Sequence, residues 1–334
     1  MGKGSPTPLD QPAELNFTED YGYTSTLTPV LRQVAKKELR EDDRIRDQAL
    51  GEMRQWIKKT SYIKNCRLDA NFLLRFLRHK KYHVPMAQDT LVRYITMRQE
   101  HPHWFNNTSM YDPVVLDLIN RGVAFALPER DRHGRRVLFT VGGNIDPYKH
   151  RAEDVMKAIM VCFESLLEDE ENQVQGFSYI LDESGITTTH LANLWRPSEM
   201  TKIFATTEKG MPMRHRSMQF MRLPLIVSAV FNFAKTLMSS KLQKRIVVFK
   251  GDDDFKKNCD NAILPKEYGG KLPMAKMIEM FKEEIRERQD RLVDLDKMRV
   301  DLQTMTTKPG DKCGATSLIN GIGLPGSFRK LEID

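Results

Sequence analysis

Segments with strand periodicity alternate with helical segments between residues 122 and 249, and few folds accommodate that alternation. The strand-like segments are GVAFAL, RVLFTVG, GFSYILD and residues 217–221 and 245–249. The turn sequence at 131–134 between the first two segments predicts an antiparallel hairpin. Helical patterns cover residues 152–168, a segment from Pro197 and residues 224–240. Strands that alternate with helices form a largely parallel sheet with helices packed against it, so the sequence predicts an α/β fold.

Helical segments with many charges lie on both sides of this region. Thr28 and Pro29 supply a helix cap and a first turn, and the helical pattern continues to Thr60. Asp69 caps the next helix, whose basic residues are expected to face solvent: Arg75, Arg78, Lys80 and Lys81. We predict a flexible arm at 1–26, a small all-helical domain at 27–105, the α/β domain at 106–272, C-terminal helices at 273–303 and a loosely ordered tail at 304–334.

Positive charge is concentrated in residues 211–250, which contain no Asp or Glu although the whole chain has 45 acidic and 52 basic residues. The helical part of this segment has two adjacent apolar stripes, namely Ile226, Val230, Phe233 and Leu237, and Val227, Phe231, Ala234 and Met238. Cations follow its C-terminal end, where the helix dipole favours them. An apolar helix beside cations suits a membrane surface with anionic lipids. A buried core helix with a solvated basic end is the alternative interpretation.

The sequence lacks the motifs of common enzymes and metal sites. No GxSxG or HExxH occurs, Ser178 lies in the middle of a predicted strand, and no Cys or His cluster has zinc spacing. Residues 321–326 match GxGxxG, but Pro325 interrupts the match and no helix follows, so we interpret it as a chance match. We therefore predict a protein that is not an enzyme, with no catalytic residues and no metal.

Cellular location and partners follow from what else the sequence lacks. No apolar stretch is long enough to span a bilayer, the N-terminus has no hydrophobic signal region, and the four cysteines form no CxxC pair. These features predict a cytoplasmic chain with reduced thiols. Phe231 and Phe233 fall on the apolar stripes and not among the cations, so no nucleic-acid partner is predicted.

Several segments together resemble the CRAL-TRIO lipid-transfer family, and in particular its alpha-tocopherol and retinaldehyde-binding branch. They are LLRFLRHKKYHV at 73–84, RVLFTVGGNIDP at 136–147, GFSYILD at 176–182, the basic segment at 212–246 and LPKEYGG at 264–270. The resemblance covers roughly residues 28–285 in unbroken order. It implies a CRAL-TRIO lipid-binding domain, with a mainly parallel sheet as floor and a gate helix at 224–240, preceded by a small all-helical N-terminal domain.

The resemblance also implies a phosphoinositide site. In the tocopherol branch a cationic cleft beside the gate binds phosphoinositide headgroups, and its four basic positions correspond here to Arg214, Arg216, Lys241 and Arg245. Guanidinium groups suit bidentate contacts with phosphate, and lysine adds a point charge.

The resemblance further implies an apolar cavity for a bound hydrophobic ligand, with no other cofactor. Departures from the family pattern indicate a drier cavity, because Ile159 and Phe163 stand where the tocopherol branch has serines. Lys235-Thr236-Leu237 also replaces the Lys-Pro-Phe that is common in the gate. The candidate cavity residues, for each of which core packing is the alternative, are Phe139, Ile159, Met160, Phe163, Tyr179, Leu181, Phe204, Phe220, Ile226, Val230 and Phe233.

The predicted function is that of a soluble, monomeric carrier for a retinoid, a carotenoid, a tocopherol-like molecule or another lipid. It would exchange this ligand at phosphoinositide-containing membranes, peripherally on endosomal or plasma membranes. The alternative is a phosphoinositide-binding trafficking adaptor with no obligatory ligand, whose C-terminal helices recruit a protein partner.

Overall fold

The computed structural model describes Asp20 and residues 23–307. The GxGxxG match at 321–326, Cys313, most of the predicted arm and most of the predicted tail lie outside the described residues. The described end of the arm is hydrogen-bonded to the protein, because Tyr23 and Thr26 both donate to the carboxylate of Glu170.

A five-stranded sheet forms the centre of the α/β part, in the spatial order β2-β3-β4-β5-β6. Strand β2 is antiparallel to β3, and the other pairs are parallel, as the sequence predicts. A separate antiparallel pair joins β1 to β7. The strands are β1 Ile63–Lys64, β2 Ala124–Ala126, β3 Arg136–Val141, β4 Phe177–Asp182, β5 His215–Met221, β6 Ile246–Val248 and β7 Arg299–Val300.

Helices precede the sheet, connect its parallel strands and follow it. Their bounds are α1 Pro29–Leu39, α2 Asp43–Lys59, α3 Ala70–His79, α4 Val84–Glu100, α5 Pro102–Phe105, α6 Pro113–Asn120, α7 Ala152–Leu167, α8 Glu170–Gln175, α9 Thr188–Asn193, α10 Pro197–Gly210, α11 Ser228–Leu237, α12 Ser240–Gln243, α13 Asp252–Asn258, α14 Met274–Arg286, α15 Gln289–Asp294 and α16 Leu302–Thr307.

The helical pattern predicted from Thr28 to Thr60 is interrupted in the structure. Arg40 has a φ of 68°, a left-handed conformation that ends α1. The side chain of Asp42 then accepts a hydrogen bond from the backbone N–H of Ile45 and starts α2. The break separates α1 from α2. Helix α1 packs in a small core of its own, which consists of Leu27, Leu31, Ala35, Leu39 and Val174.

The helical N-terminal part and the sheet share one hydrophobic core, which runs from α2 to the C-terminal helices. The expectation that Arg75 and Arg78 face solvent is wrong, since both are among the largest fully buried side chains. Arg75 pairs with Glu164 at 3.1 Å and with Glu168 at 2.6 Å. Lys80 is half-buried and Lys81 is exposed. The polar face of α3 therefore meets carboxylates of α7 and of the turn that follows it instead of water.

Arg78 makes the second set of buried ion pairs. It donates from Nε and Nη2 to the two oxygens of Glu41, at 2.9 and 2.7 Å, and Nη2 lies 2.8 Å from Glu170. The bonds of Arg78 connect the first helices to α8 through buried charged groups.

The pKa of Glu168 reflects its own pairs with arginines. Burial alone would raise this pKa, but Arg75 and Arg67 lower it to about 2.

Candidate functional site

The gate consists of the 3-10 turn Leu225–Val227 and α11. Pro224 is extended and lies outside the helix, and Met238, with a ψ of 148°, ends α11. Ser239 then accepts a hydrogen bond from the backbone N–H of Leu242 and starts α12. The helix predicted from Pro224 to Ser240 is therefore shorter than expected, because a second capping side chain interrupts it.

An apolar cavity of about 220 Å³ lies between the gate, α7, α10 and one face of the sheet. Its floor contains Thr140, Leu181 and Phe220, which are paired across β3, β4 and β5. Five of the candidate residues line it, namely Ile159, Leu181, Phe204, Phe220 and Val230. Other residues that line the cavity are not among the candidates, including Val155, Trp195, Met200, Met218 and Glu183.

The other six candidate residues do not line this cavity. Phe139 is fully buried and packs edge-on against Tyr268, with ring centroids 4.7 Å apart. Met160 is fully buried in the core, and Phe163 contacts Tyr179. The Tyr179 hydroxyl lies 2.6 Å from Nδ1 of His215.

Ile226 and Phe233 point away from the cavity, with 46% and 37% of their surface exposed. The inward face of the gate is instead made by Val227, Val230, Phe231 and Ala234, and Met238 directly after it also lines the cavity. The sequence offers two apolar stripes of similar strength on this helix. Helical periodicity alone does not reveal which of them faces inward, because both stripes are equally apolar.

Arg222 lies between β5 and the gate and is fixed by contacts with two other segments. Its φ is 51°, its guanidinium pairs with the buried carboxylate of Asp182, and it lies over the ring of Tyr268. Tyr268 donates a 2.7 Å hydrogen bond to the same carboxylate. The strand β5 therefore leads into the gate through a residue that is tied to the end of β4 and to the 3-10 turn Lys266–Tyr268.

The four candidate cations, Arg214, Arg216, Lys241 and Arg245, line one cleft of about 510 Å³. Lys37, Lys81, Glu38 and Glu208 also line it, so six cations and two carboxylates meet there. Burial and the positive charge of Arg245 lower the pKa of Lys241, and burial and Arg216 lower the pKa of Arg245. These shifts show that the cations repel one another, because six of them face only two carboxylates in the cleft.

Glu38, in the last turn of α1, partly neutralises the cleft. One oxygen of its carboxylate, Oε2, pairs with Nη2 of Arg214 at 2.8 Å and with Nη2 of Arg216. Burial alone would raise the pKa of Glu38, but the hydrogen bonds from Arg216 and Arg214 lower it. No local sequence pattern indicates this contact, because Glu38 is 176 residues from Arg214 along the chain.

The cavity and the cleft are neighbours. Met238 lines the cavity while Ser239 and Lys241 line the cleft, and along β5 Arg216 belongs to the cleft while Met218 belongs to the cavity. The boundary between the cavity wall and the edge of the cleft therefore falls between two consecutive residues, Met238 and Ser239.

Among residues 23–307, no group of three or more His, Cys, Asp or Glu side chains is arranged to hold a metal ion. The same part of the chain contains no helix whose length and apolar character would let it cross a membrane.

Comparisons with known proteins match both parts of the chain. Residues 120–270 match the CRAL/TRIO domain, and residues 42–115 match a domain described as Pinta-like, UBA domain. Clavesin-2 of Homo sapiens is 29% identical over 248 residues, which are 74% of this chain and 76% of that protein. Alpha-tocopherol transfer protein-like of Mus musculus is 29% identical over 250 residues, 75% of this chain and 72% of that protein. The crystal structure of Sfh5 covers 81% of this chain and 100% of its own, with 12% identity and a TM-score of 0.47.

Proposed function

Residues 120–270 form a CRAL-TRIO domain, and on that premise we propose that the chain is a non-enzymatic carrier for one hydrophobic lipid, which it exchanges at phosphoinositide-bearing membranes. The observation that carries the proposal is that the gate covers an apolar cavity and leads directly into a cationic cleft. The proposed cargo is a retinoid, a carotenoid, a tocopherol-like molecule or another lipid. The proposed place of exchange is the cytoplasmic surface of endosomal or plasma membranes.

The cavity supports the first half of the proposal. Burying several hundred Å² of apolar ligand surface at about 25 cal/mol/Å² supplies several kcal/mol of binding free energy without strong polar contacts. The cavity of about 220 Å³ is smaller than the roughly 300–1,000 Å³ that small-molecule sites usually have. A bound isoprenoid therefore requires an outward displacement of the gate, and the gate can also release it.

The outer surface of the gate supports the second half. Leu225 is 89% exposed, and Ile226 and Phe233 are exposed beside it. Exposed apolar side chains next to cations are the combination that inserts into the boundary of an anionic bilayer. Burial of these side chains in a membrane would pull the gate away from the cavity while the cleft holds a headgroup. Docking would thereby favour opening, provided that the open state binds the headgroup more tightly.

Replacing Val230 with tryptophan is expected to remove the cargo. Val230 lines the cavity, so an indole at this position fills the space that the ligand needs, and occupancy should fall by more than about tenfold. The measurement is mass spectrometry of organic extracts from the purified full chain. Ala229→Trp, on the exposed side of the same helix, is the matched control and should retain the cargo. Equal occupancy in the two variants would contradict the assignment of the cavity.

Replacing Glu38 with glutamine is expected to strengthen binding to phosphoinositide vesicles. The carboxylate competes with a phosphate for Arg214 and Arg216, so its neutralisation should raise the affinity about fivefold. Vesicle co-sedimentation measures the change, and Glu52→Gln, which neutralises an exposed carboxylate on α2, should have no effect. Unchanged affinity of the Glu38 variant would mean that the headgroup does not reach these two arginines.

The small volume of the cavity favours a second candidate, a phosphoinositide-binding adaptor without an obligatory ligand. Extraction of the wild-type chain separates the two functions. A stoichiometric lipid supports the carrier, and persistently empty extracts support the adaptor.

A further inference from the structure

Glu183 places a carboxyl group, the one ionisable group among the lining residues that the structure describes, in the wall of a mainly apolar cavity. It directly follows Asp182, the last residue of β4, and its backbone N–H donates a 3.1 Å hydrogen bond to the carbonyl of Met221. The carboxyl ends of parallel strands are where α/β folds generally bind ligands. The position is therefore fixed by the sheet at the edge where a ligand is expected.

Glycines allow this carboxyl group to approach the loop after β3. A Cβ added to Gly142 would lie 3.1 Å from Oε2 of Glu183 and 2.9 Å from Cδ1 of Ile186. A Cβ on Gly143 would lie 2.3 Å from the carbonyl oxygen of Ser184. Residues without side chains are thus required for the two loops to pack this closely, and the packing holds Glu183 against the cavity.

The Glu183 carboxylate has no protein partner among the residues that the structure describes. Its neighbour differs in this respect, because Asp182 is paired with Arg222 and accepts a hydrogen bond from Tyr268. Burial, and then the charge of Asp182, raise the pKa of Glu183 to about 7. Near neutral pH the group therefore exists in both protonation states, and it can donate or accept a hydrogen bond.

We propose that Glu183 binds the polar end of the cargo and that the cargo ends in a hydroxyl group and not in a carboxylate. The inference rests on the proposed carrier function and specifies its ligand class. A hydroxyl both donates and accepts, so it satisfies Glu183 in either protonation state. A pure hydrocarbon would leave the carboxyl group buried and unpaired, which is unfavourable. A carboxylate would add a negative charge beside Asp182 and Glu183, and the guanidinium of Arg222 is already paired with Asp182.

The test uses retinol and retinoic acid, which share one apolar tail and differ at the polar end. Fluorescence titration of the full-length wild type should give tighter binding of retinol. Glu183→Gln keeps the hydrogen-bonding capacity but removes the charge, so its affinity for retinoic acid should rise about tenfold while its affinity for retinol stays within about twofold. Glu183→Leu should weaken retinol binding about tenfold, because the hydroxyl then loses its hydrogen bond to the carboxyl group.

Glu279→Gln, an exposed position on α14, is the matched control and should behave like the wild type. An unchanged preference between the two retinoids in Glu183→Gln overturns the inference. A natural cargo with a carboxylate end, identified in organic extracts, also overturns it but leaves the carrier function standing. If neither retinoid binds and the extracts are empty, the carrier function and the inference are both overturned.

Discussion

Reversing the charges of Lys241 and Arg245 to glutamate is expected to abolish binding to phosphoinositide vesicles. Each basic residue near an anionic bilayer contributes about 1 kcal/mol, so loss of the two cations alone lowers the affinity about 30-fold, and the introduced carboxylates add repulsion. Neither residue pairs with Glu38, so the ion pairs that hold α1 on the cleft stay intact. Co-sedimentation with phosphatidylcholine vesicles containing phosphatidylinositol bisphosphate measures the effect.

The matched control reverses Lys256 and Lys257, which are exposed on α13 and do not line the cleft. It changes the net charge of the chain by the same amount. Similar loss of binding in both double variants would mean that overall charge attracts the chain to the membrane, and the cleft would lose its assigned role. A soluble inositol phosphate that competes with the vesicles would indicate that the headgroup itself is recognised.

Replacing Arg78 with leucine is expected to lower the free energy of unfolding by about 3–5 kcal/mol, the usual result of breaking a buried ion pair. Arg78 is fully buried and supplies both hydrogen bonds to the two oxygens of Glu41. Without it the buried carboxylates of Glu41 and Glu170 lose the cation that they share. Urea or guanidinium denaturation, followed by circular dichroism, measures the change.

The loss of a surface ion pair is the control for the effect of Arg78→Leu on the free energy of unfolding. Arg286→Ala removes a pair with exposed Glu283 and should cost less than about 1 kcal/mol. The double variant Arg78→Leu with Glu41→Leu should recover part of the loss, because it removes the unpaired charge. A loss of less than about 1 kcal/mol in Arg78→Leu would show that water reaches this network.

The parallel and antiparallel strand directions and the cationic cleft could be read largely from the sequence. Alternating strand and helix patterns determine a parallel sheet, and the turn at 131–134 determines its antiparallel edge. The acid-free stretch at 211–250 indicated where positive charge accumulates, and the resemblance identified the four cations that the structure brings together. These features depend on local pattern, which a single sequence contains.

Features that depend on distant segments could not be read in this way. The pattern of α3 shows that Arg75 and Arg78 share a polar face, but it does not show that Glu164 and Glu170 lie opposite that face. Glu38 could not be found for the same reason. Glu183 had a weak signal, because a second acidic residue directly after the strand that ends at Asp182 marks the edge where ligands bind.

The buried arginines have a practical consequence for dissecting this molecule. A fragment that starts at residue 106 would retain Glu164, Glu168 and Glu170 but lose Arg67, Arg75, Arg78 and Arg98, which hold them. Three carboxylates that belong inside the protein would then repel one another on a newly opened face. The arginines of the N-terminal helices therefore neutralise buried carboxylates of the CRAL-TRIO part, and both parts must be expressed together in one polypeptide.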